Sequence, residues 1–454
     1  MQLPKSLQTL KPGTRVLFAC VPLDGHFNPL TGLARYLAEQ GCDVRWYTSV
    51  HYRPKTEALG QQHYPFVKAM DVHGDIDALF PERSRHRSQV AKLVFDLVEV
   101  FILRSPEYFE DLKAIHSEFP FEAMVCDIAF GGSLFVTDKM RIPVFAMGIL
   151  PLTATSRDLP PAGLGMTPSS GFRGRRRQDL LRFVADRVLF ARPNRVLRRL
   201  LREHRIEASG TNIFDIITRK ATRVLQSGVP GFEYKRSDLG SNIRFVGALL
   251  PHRKPASAEN WYDPRLDRFD TVIVVTQGTV EKDAEKLLVP TLEAFRGSDT
   301  LVVCTTGGSQ TDALRARFPE ENIIIEDFIP FDDIMPYADA YVTNGGYGGT
   351  MIAIEHQLPL IAAGLHEGKN EINARVGYFG IGIDLKTEKP KPGAIREAVD
   401  RVLHNPGYPA RVRRLSGEFG RYPTFSLCAH YMAELLGAGV KESQLPALAQ
   451  EEER

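Results

Sequence analysis

The chain has 454 residues, 43% of them hydrophobic and 25% charged, with a formal net charge of +2. That length is too great for one ordinary hydrophobic core and implies a soluble globular protein of two domains. The balanced charge excludes a whole-chain field for nucleic acid or an anionic membrane, and the five scattered cysteines, with no CxxC, read as small buried hydrophobes in a reducing compartment. The amino-terminal "MQLPKSLQTLKPGTR" lacks the apolar run of a secretory signal. "KLVFDLVEVFIL" is interrupted by Asp96 and Glu99, so it reads as an amphipathic helix and not a membrane span. A cytoplasmic location is the expectation.

In chain order, "RVLFACV" reads as a buried strand and "NPLTGLARYLAEQG" as the helix after it. Asn28 is the expected cap, Pro29 the first helical residue and Gly41 the stop. Leu30, Leu33, Ala34 and Leu37 recur at helical spacing. "DVRWYTS", "AMVCDIAF" and "IPVFAMGI" are further strands, and this alternation predicts a parallel sheet with helices on both faces. From Pro151 the pattern gives way to a Pro- and Gly-rich loop. Then comes the basic helical stretch "RGRRRQDLLRFVADRVLFARPNRVLRRLLREH", read as a solvated face or as a segment covering a substrate cleft. Arg244 to Asp270 reads as a linker. Beyond it "TVIVVTQGT", "TLVVCTTGG", "NIIIEDFI", "AYVTNGG", "LPLIAAG" and "GIGIDL" repeat the α/β pattern. "FSLCAHYMAELLGAG" is a late amphipathic helix, followed by an acidic tail.

The densest signal is "YVTNGGYGGTMIAIEH", which places four glycines in the five positions Gly345 to Gly349 at a strand-to-helix turn. Glycine costs backbone entropy unless its freedom or its missing side chain is needed. A helix start offers unpaired N–H groups and a positive dipole end, a natural seat for a phosphate; a tight turn needing only positive φ is the alternative. "VTQGT" ends another strand with Gly278 and Thr279. "GHFNP" puts His26 at the exit of the first strand, and "MVCDI" puts Asp127 at the exit of a third. These are carboxyl ends of parallel strands, where open α/β sheets bind ligands.

Taken together, "GHFNPLTGLARYLAEQGCDVRWYTS", "QGT" and "NGGYGGTMIAIEHQLPLIAAGLHEGKNEINARVGYFGIGIDL" resemble the GT-B nucleotide-sugar glycosyltransferases. The similarity is greatest to the UDP-glycosyltransferase family that modifies macrolides, flavonoids and other small acceptors. The resemblance implies two Rossmann-like domains with parallel sheets facing a central cleft. Residues 1–246 would hold the acceptor, 247–270 the linker and 271–424 the donor, with a helix in 425–454 crossing back. It implies inverting, metal-independent transfer of a sugar from a UDP-glucose-like nucleotide sugar to a hydroxyl of a small, largely apolar acceptor, with no cofactor. The triplet Asp75-Ile76-Asp77, of the kind metal-dependent transferases use, reads as incidental. His26 matches the family's general base and Asp127 its carboxylate partner. Gln277, Gly278, Thr279, Phe328, Asn344, Gly345, Gly346, Tyr347, Gly348, Gly349, Thr350, Glu367, Lys369 and Asn370 fall at donor positions.

Three positions depart from the family pattern. Asn344 replaces a histidine that points at a phosphate. Ile352 stands where a glutamate accepts the ribose hydroxyls, with Glu355 one turn on. Lys369 and Asn370 replace the acid–glutamine pair that holds the sugar, with Glu367 and Glu371 flanking them. Two other readings stay open: a lipid-linked cell-wall N-acetylglucosamine transferase or sugar-nucleotide epimerase of the same fold, and a non-catalytic nucleotide-sugar binding protein. A dinucleotide dehydrogenase is disfavoured because no GxGxxG follows the first strand.

Overall fold

The computed structural model describes residues 3–4, 6–74, 76–86, 88–207, 211–252 and 260–437. Asp75, residues 253–259 of the expected linker and the acidic tail (438–454) lie outside them.

Two parallel sheets organise the chain. The first contains β1 (Arg15–Ala19), β2 (Asp43–Tyr47), β3 (Gln62–Tyr64), β4 (Ala123–Asp127), β5 (Val144–Gly148), β6 (Arg223–Ser227) and β7 (Ile243–Gly247). The second contains β8 (Thr271–Thr276), β9 (Thr300–Thr305), β10 (Ile323–Glu326), β11 (Ala340–Thr343), β12 (Leu360–Ala362) and β13 (Gly382–Asp384). Their orders are β3-β2-β1-β4-β5-β6-β7 and β10-β9-β8-β11-β12-β13, so each order reverses once, between β1 and β4 and between β8 and β11. Ligands bind such sheets at the carboxyl side of that reversal.

Alternation along the central strands explains the layers. In β1, Val16 and Phe18 enter one core with Trp46 and Leu30, while Leu17 and Ala19 enter the opposite core with Tyr47 and Tyr108. In β8, Val272 and Val274 face one way, and Ile273 and Val275 the other. Strands apolar on both faces belong in the middle of a covered parallel sheet. All five cysteines are buried and unpaired, as read from their apolar surroundings.

The helices that matter to the site are α1 (Asp24–Glu39), α2 (Phe172–Val184), α3 (Ala191–Glu203), α4 (Tyr347–Glu355), α5 (Lys369–Phe379) and α6 (Thr424–Gly437). Helix α1 starts earlier than its proline suggests. The Leu23 carbonyl accepts the amides of His26 (2.9 Å) and Phe27 (2.9 Å), so Asn28 is not the cap and Pro29 lies inside the helix. These early bonds outweigh the one that Pro29 removes. Helix α6 lies against the first domain: Leu427, Cys428 and Met432 join its core, and Ser426 hydrogen-bonds Tyr36 of α1 at 3.0 Å. Gly32 permits this crossing, because a Cβ there would lie 2.4 Å from Phe425 and 2.5 Å from the Leu250 carbonyl. The stretch from Arg244 is not all linker. Its first residues complete β7, an edge strand beside β6.

Candidate active site

His26 sits in the first turn of α1, just past β1, and Asp127 is the last residue of β4, the neighbouring strand across the reversal. His26 Nδ1 lies 2.8 Å from Asp127 Oδ1. The carboxylate is fully buried and the imidazole largely so. Asp127 Oδ1 also accepts the Ala129 amide (2.8 Å), and Oδ2 accepts the Val21 amide (2.9 Å). With both oxygens accepting backbone N–H groups, the carboxylate is an acceptor toward the ring, so Nδ1 carries the shared hydrogen. Nε2 then holds a free lone pair, and it has no partner among the described residues. This geometry is suited to taking a proton from a hydroxyl.

The second sheet builds a matching pair of turns at its own reversal. Thr276-Gln277-Gly278 follows β8 and Thr343-Asn344-Gly345 follows β11. In each, the threonine hydroxyl accepts the glycine amide at 3.2 Å. Both glycines take left-handed backbone, with φ of 75° at Gly278 and 93° at Gly345. The Asn344 side-chain amide donates to the Gln277 carbonyl, tying one turn to the other. Asn344 therefore braces one turn against the other. Gln277 is buried and its Oε1 is without a partner among the described residues, while Gly278 and Thr279 are exposed.

The glycine turn divides by role. A Cβ on Gly345 would lie 2.0 Å from Asn373 Oδ1, and one on Gly349 would lie 2.9 Å from the Tyr341 hydroxyl. Gly346 and Gly348 border open space. Gly346 caps α4, which begins at Tyr347. The amides of Tyr347, Gly348 and Gly349 head the helix and have no intrahelical acceptor. Thr350 differs: its amide and hydroxyl both bond the Gly346 carbonyl at 3.0 Å, and its side chain is fully buried. It supports the turn. The Tyr347 phenol reaches the other domain and donates to the Ser227 carbonyl at 2.9 Å.

The remaining expected residues scatter. Phe328 is exposed and packs its ring edge against Gly308. Lys369 pairs with Glu367 at 2.7 Å, with Glu367 itself in left-handed backbone. Asn370 donates to the Gly163 carbonyl at 3.0 Å, so it grips a first-domain loop. Glu371 likewise accepts the amides of Gly163 (2.8 Å) and Gly165 (2.9 Å). Ile352 packs on the apolar core, and Glu355 lies at the far end of α4. Asp77 pairs with Arg83 at 2.9 Å, whose hydrogen bond holds its carboxyl below the ordinary range. Sequence reasoning missed Asn373, fully buried beneath the turn and donating to the Gly364 carbonyl at 2.9 Å. It also missed Arg375, buried between Glu233 (2.7 Å) and Glu371 (3.1 Å). A polar residue inside a helical pattern carries no mark of a partner far along the chain.

Residues 290–435 match the family model described as erythromycin biosynthesis protein CIII-like, C-terminal domain. The chain is 36% identical over 411 residues to 4'-demethylrebeccamycin synthase of Lentzea aerocolonigenes, covering 90% of this chain and 96% of that protein. It is 30% identical over 433 residues to UDP-glucosyltransferase 1 of Beauveria bassiana, covering 89% and 91%. In fold it is similar to the calicheamicin glycosyltransferase CalG4, with a TM-score of 0.72 at 21% identity over 94% of this chain and 100% of that one. It is also similar to the glycosyltransferase VinC in complex with DTDP, with a TM-score of 0.64 at 16% identity over 94% and 100%.

Proposed function

The chain belongs to the GT-B UDP-glycosyltransferase family, and from that premise we propose an inverting enzyme that moves a sugar from a UDP-glucose-like nucleotide sugar to a hydroxyl of a small, largely apolar natural-product acceptor. The observation that carries this reading is the 2.8 Å contact of His26 Nδ1 with a fully buried Asp127. His26 Nε2 takes the acceptor proton as the new glycosidic bond forms, and Asp127 stabilises the imidazolium that results. The bond to the diphosphate breaks on the opposite face of the sugar carbon, through an oxocarbenium-like state, so the anomeric configuration inverts. The leaving diphosphate gains charge, and the amides of Tyr347, Gly348 and Gly349 stabilise it there. Gly346 and Gly348, open toward solvent, let it come close. Phe328 offers a ring for the base. This chemistry calls on no metal.

The test joins donor and mechanism. UDP-, dTDP- and GDP-sugars are ranked by the rise in melting temperature, and the product's anomeric configuration is read by NMR. His26→Ala should lower transfer by about a hundredfold or more while donor binding stays within about twofold of wild type. Retention of configuration, or turnover by His26→Ala at the wild-type rate, overturns the mechanism.

A further inference from the structure

The consecutive helices α2 and α3 are unlike the rest of the surface. Between Phe172 and Glu203 they hold eleven arginines against Asp179, Asp186 and Glu203, a local charge of +8 in a chain whose net charge is +2. On α2, Phe172, Arg176, Leu180 and Phe183 recur at i, i+4, i+8 and i+11, which sets them in one stripe. That stripe lies opposite the buried Gln178 and Ala185. Its apolar members are turned to solvent: Phe172 is 75% exposed, Leu180 61%, Phe183 62%, and Val188 on the next turn 65%. Arg176 lies over the Phe172 ring at 5.4 Å. Arg173, Arg176 and Arg177 make no ion pair among the described residues.

Solvation alone accounts for the arginines but not for large apolar side chains standing among them. Arginines flanking a narrow apolar stripe match a surface that is anionic at its face and apolar just beneath it. We propose that this helical segment docks the protein, peripherally and reversibly, on an anionic phospholipid bilayer. Phe172, Leu180 and Phe183 enter the headgroup boundary, and the arginines meet the lipid phosphates. No helix among the described residues is long and apolar enough to cross a membrane, so the contact is a surface one. An apolar acceptor of the class proposed above partitions into the same boundary, and docking would raise its local concentration.

The full chain is floated with vesicles of phosphatidylglycerol and phosphatidylcholine in equal amounts, and with phosphatidylcholine alone. The expected preference for the anionic vesicles is about tenfold, falling as salt is raised. The triple variant Phe172→Ser, Leu180→Ser, Phe183→Ser should bind them about tenfold more weakly with an unchanged melting temperature, as should Arg173→Glu, Arg176→Glu, Arg177→Glu. Three results overturn the proposal: no flotation of the wild type at low salt, flotation that the serine variant retains in full, or a wild-type dimer in solution that the serine variant dissociates. The last would assign the stripe to a second copy of the chain. Because the readout is vesicle binding, it stands or falls apart from the transfer reaction.

Discussion

Asp127 serves three donors with two oxygens: the His26 ring and the amides of Val21 and Ala129. An asparagine has the same outline but must present an NH2 group to at least one of them. If that group faces His26, Nδ1 must become the acceptor and Nε2 the hydrogen carrier, which is the wrong tautomer for a base. If it faces a backbone amide, a buried donor is stranded at a cost of about 1–3 kcal/mol. Asp127→Asn should therefore lower kcat by about a thousandfold and lower the melting temperature, with the KM for the donor little changed. Steady-state kinetics beside a thermal melt checks both. At this scale the sequence was informative. His26 and Asp127 follow apolar strands, and strand ends were legible because a run such as "AMVCD" is buried on both faces. The start of α1 was not, since Pro29 is permitted both at a helix start and, with one lost bond, inside it.

Among the elements, the strand–turn–helix that leads into α4 shows that neighbouring glycines answer different needs. Gly345 is required by its φ of 93° and by Asn373, and Gly349 by the Tyr341 hydroxyl, whereas Gly348 meets nothing within 4 Å. Gly345→Ala should destabilise the second domain by about 1–3 kcal/mol. Gly348→Ala should behave in the opposite way. Alanine favours a helix over glycine by about 0.4–1 kcal/mol, so this variant melts no earlier than wild type. Its methyl, however, stands where the diphosphate is proposed to rest, and UDP should bind about tenfold more weakly. Calorimetric titration with UDP beside a thermal melt separates the two effects, and weakening of UDP by Gly345→Ala alone would move the phosphate seat away from Gly348. The glycines announced the turn in sequence, but not this division, which depends on side chains from β11 and α5. The short edge strands were hidden for a related reason: β3 is three residues of half-exposed "QHY", too brief and polar for a pattern.

For the whole molecule, the question is what couples the two sheets. The core that contains Val274 and Met351 of the second domain also takes in Val229 and Phe232, so apolar packing crosses the boundary. At its polar edge Arg375 on α5 is 2% exposed and sits between Glu233 of the first domain and Glu371 of its own helix. Burial opposes the charge, but Glu233 and Glu371 outweigh it and hold the guanidinium above its ordinary pKa. Glu371 in turn holds the Gly163 and Gly165 amides, so one arginine joins a donor-side helix to the loop that follows β5. Removing only the cation takes from the buried Glu233 and the partly buried Glu371 their nearest counter-charge, and such a cut in a buried pair costs about 3–5 kcal/mol. Arg375→Met should therefore lower the unfolding midpoint markedly. Adding Glu233→Gln should recover part of the loss, because one stranded charge is then gone; additivity would instead mean that the pair does not couple. Calorimetry on the two single variants and the double variant measures that coupling. If the arginine sets how the domains meet, Arg375→Met should also reduce kcat with a soluble acceptor more than it weakens UDP binding, since the amides at the head of α4 keep their own turn while the imidazole loses its fixed distance from them.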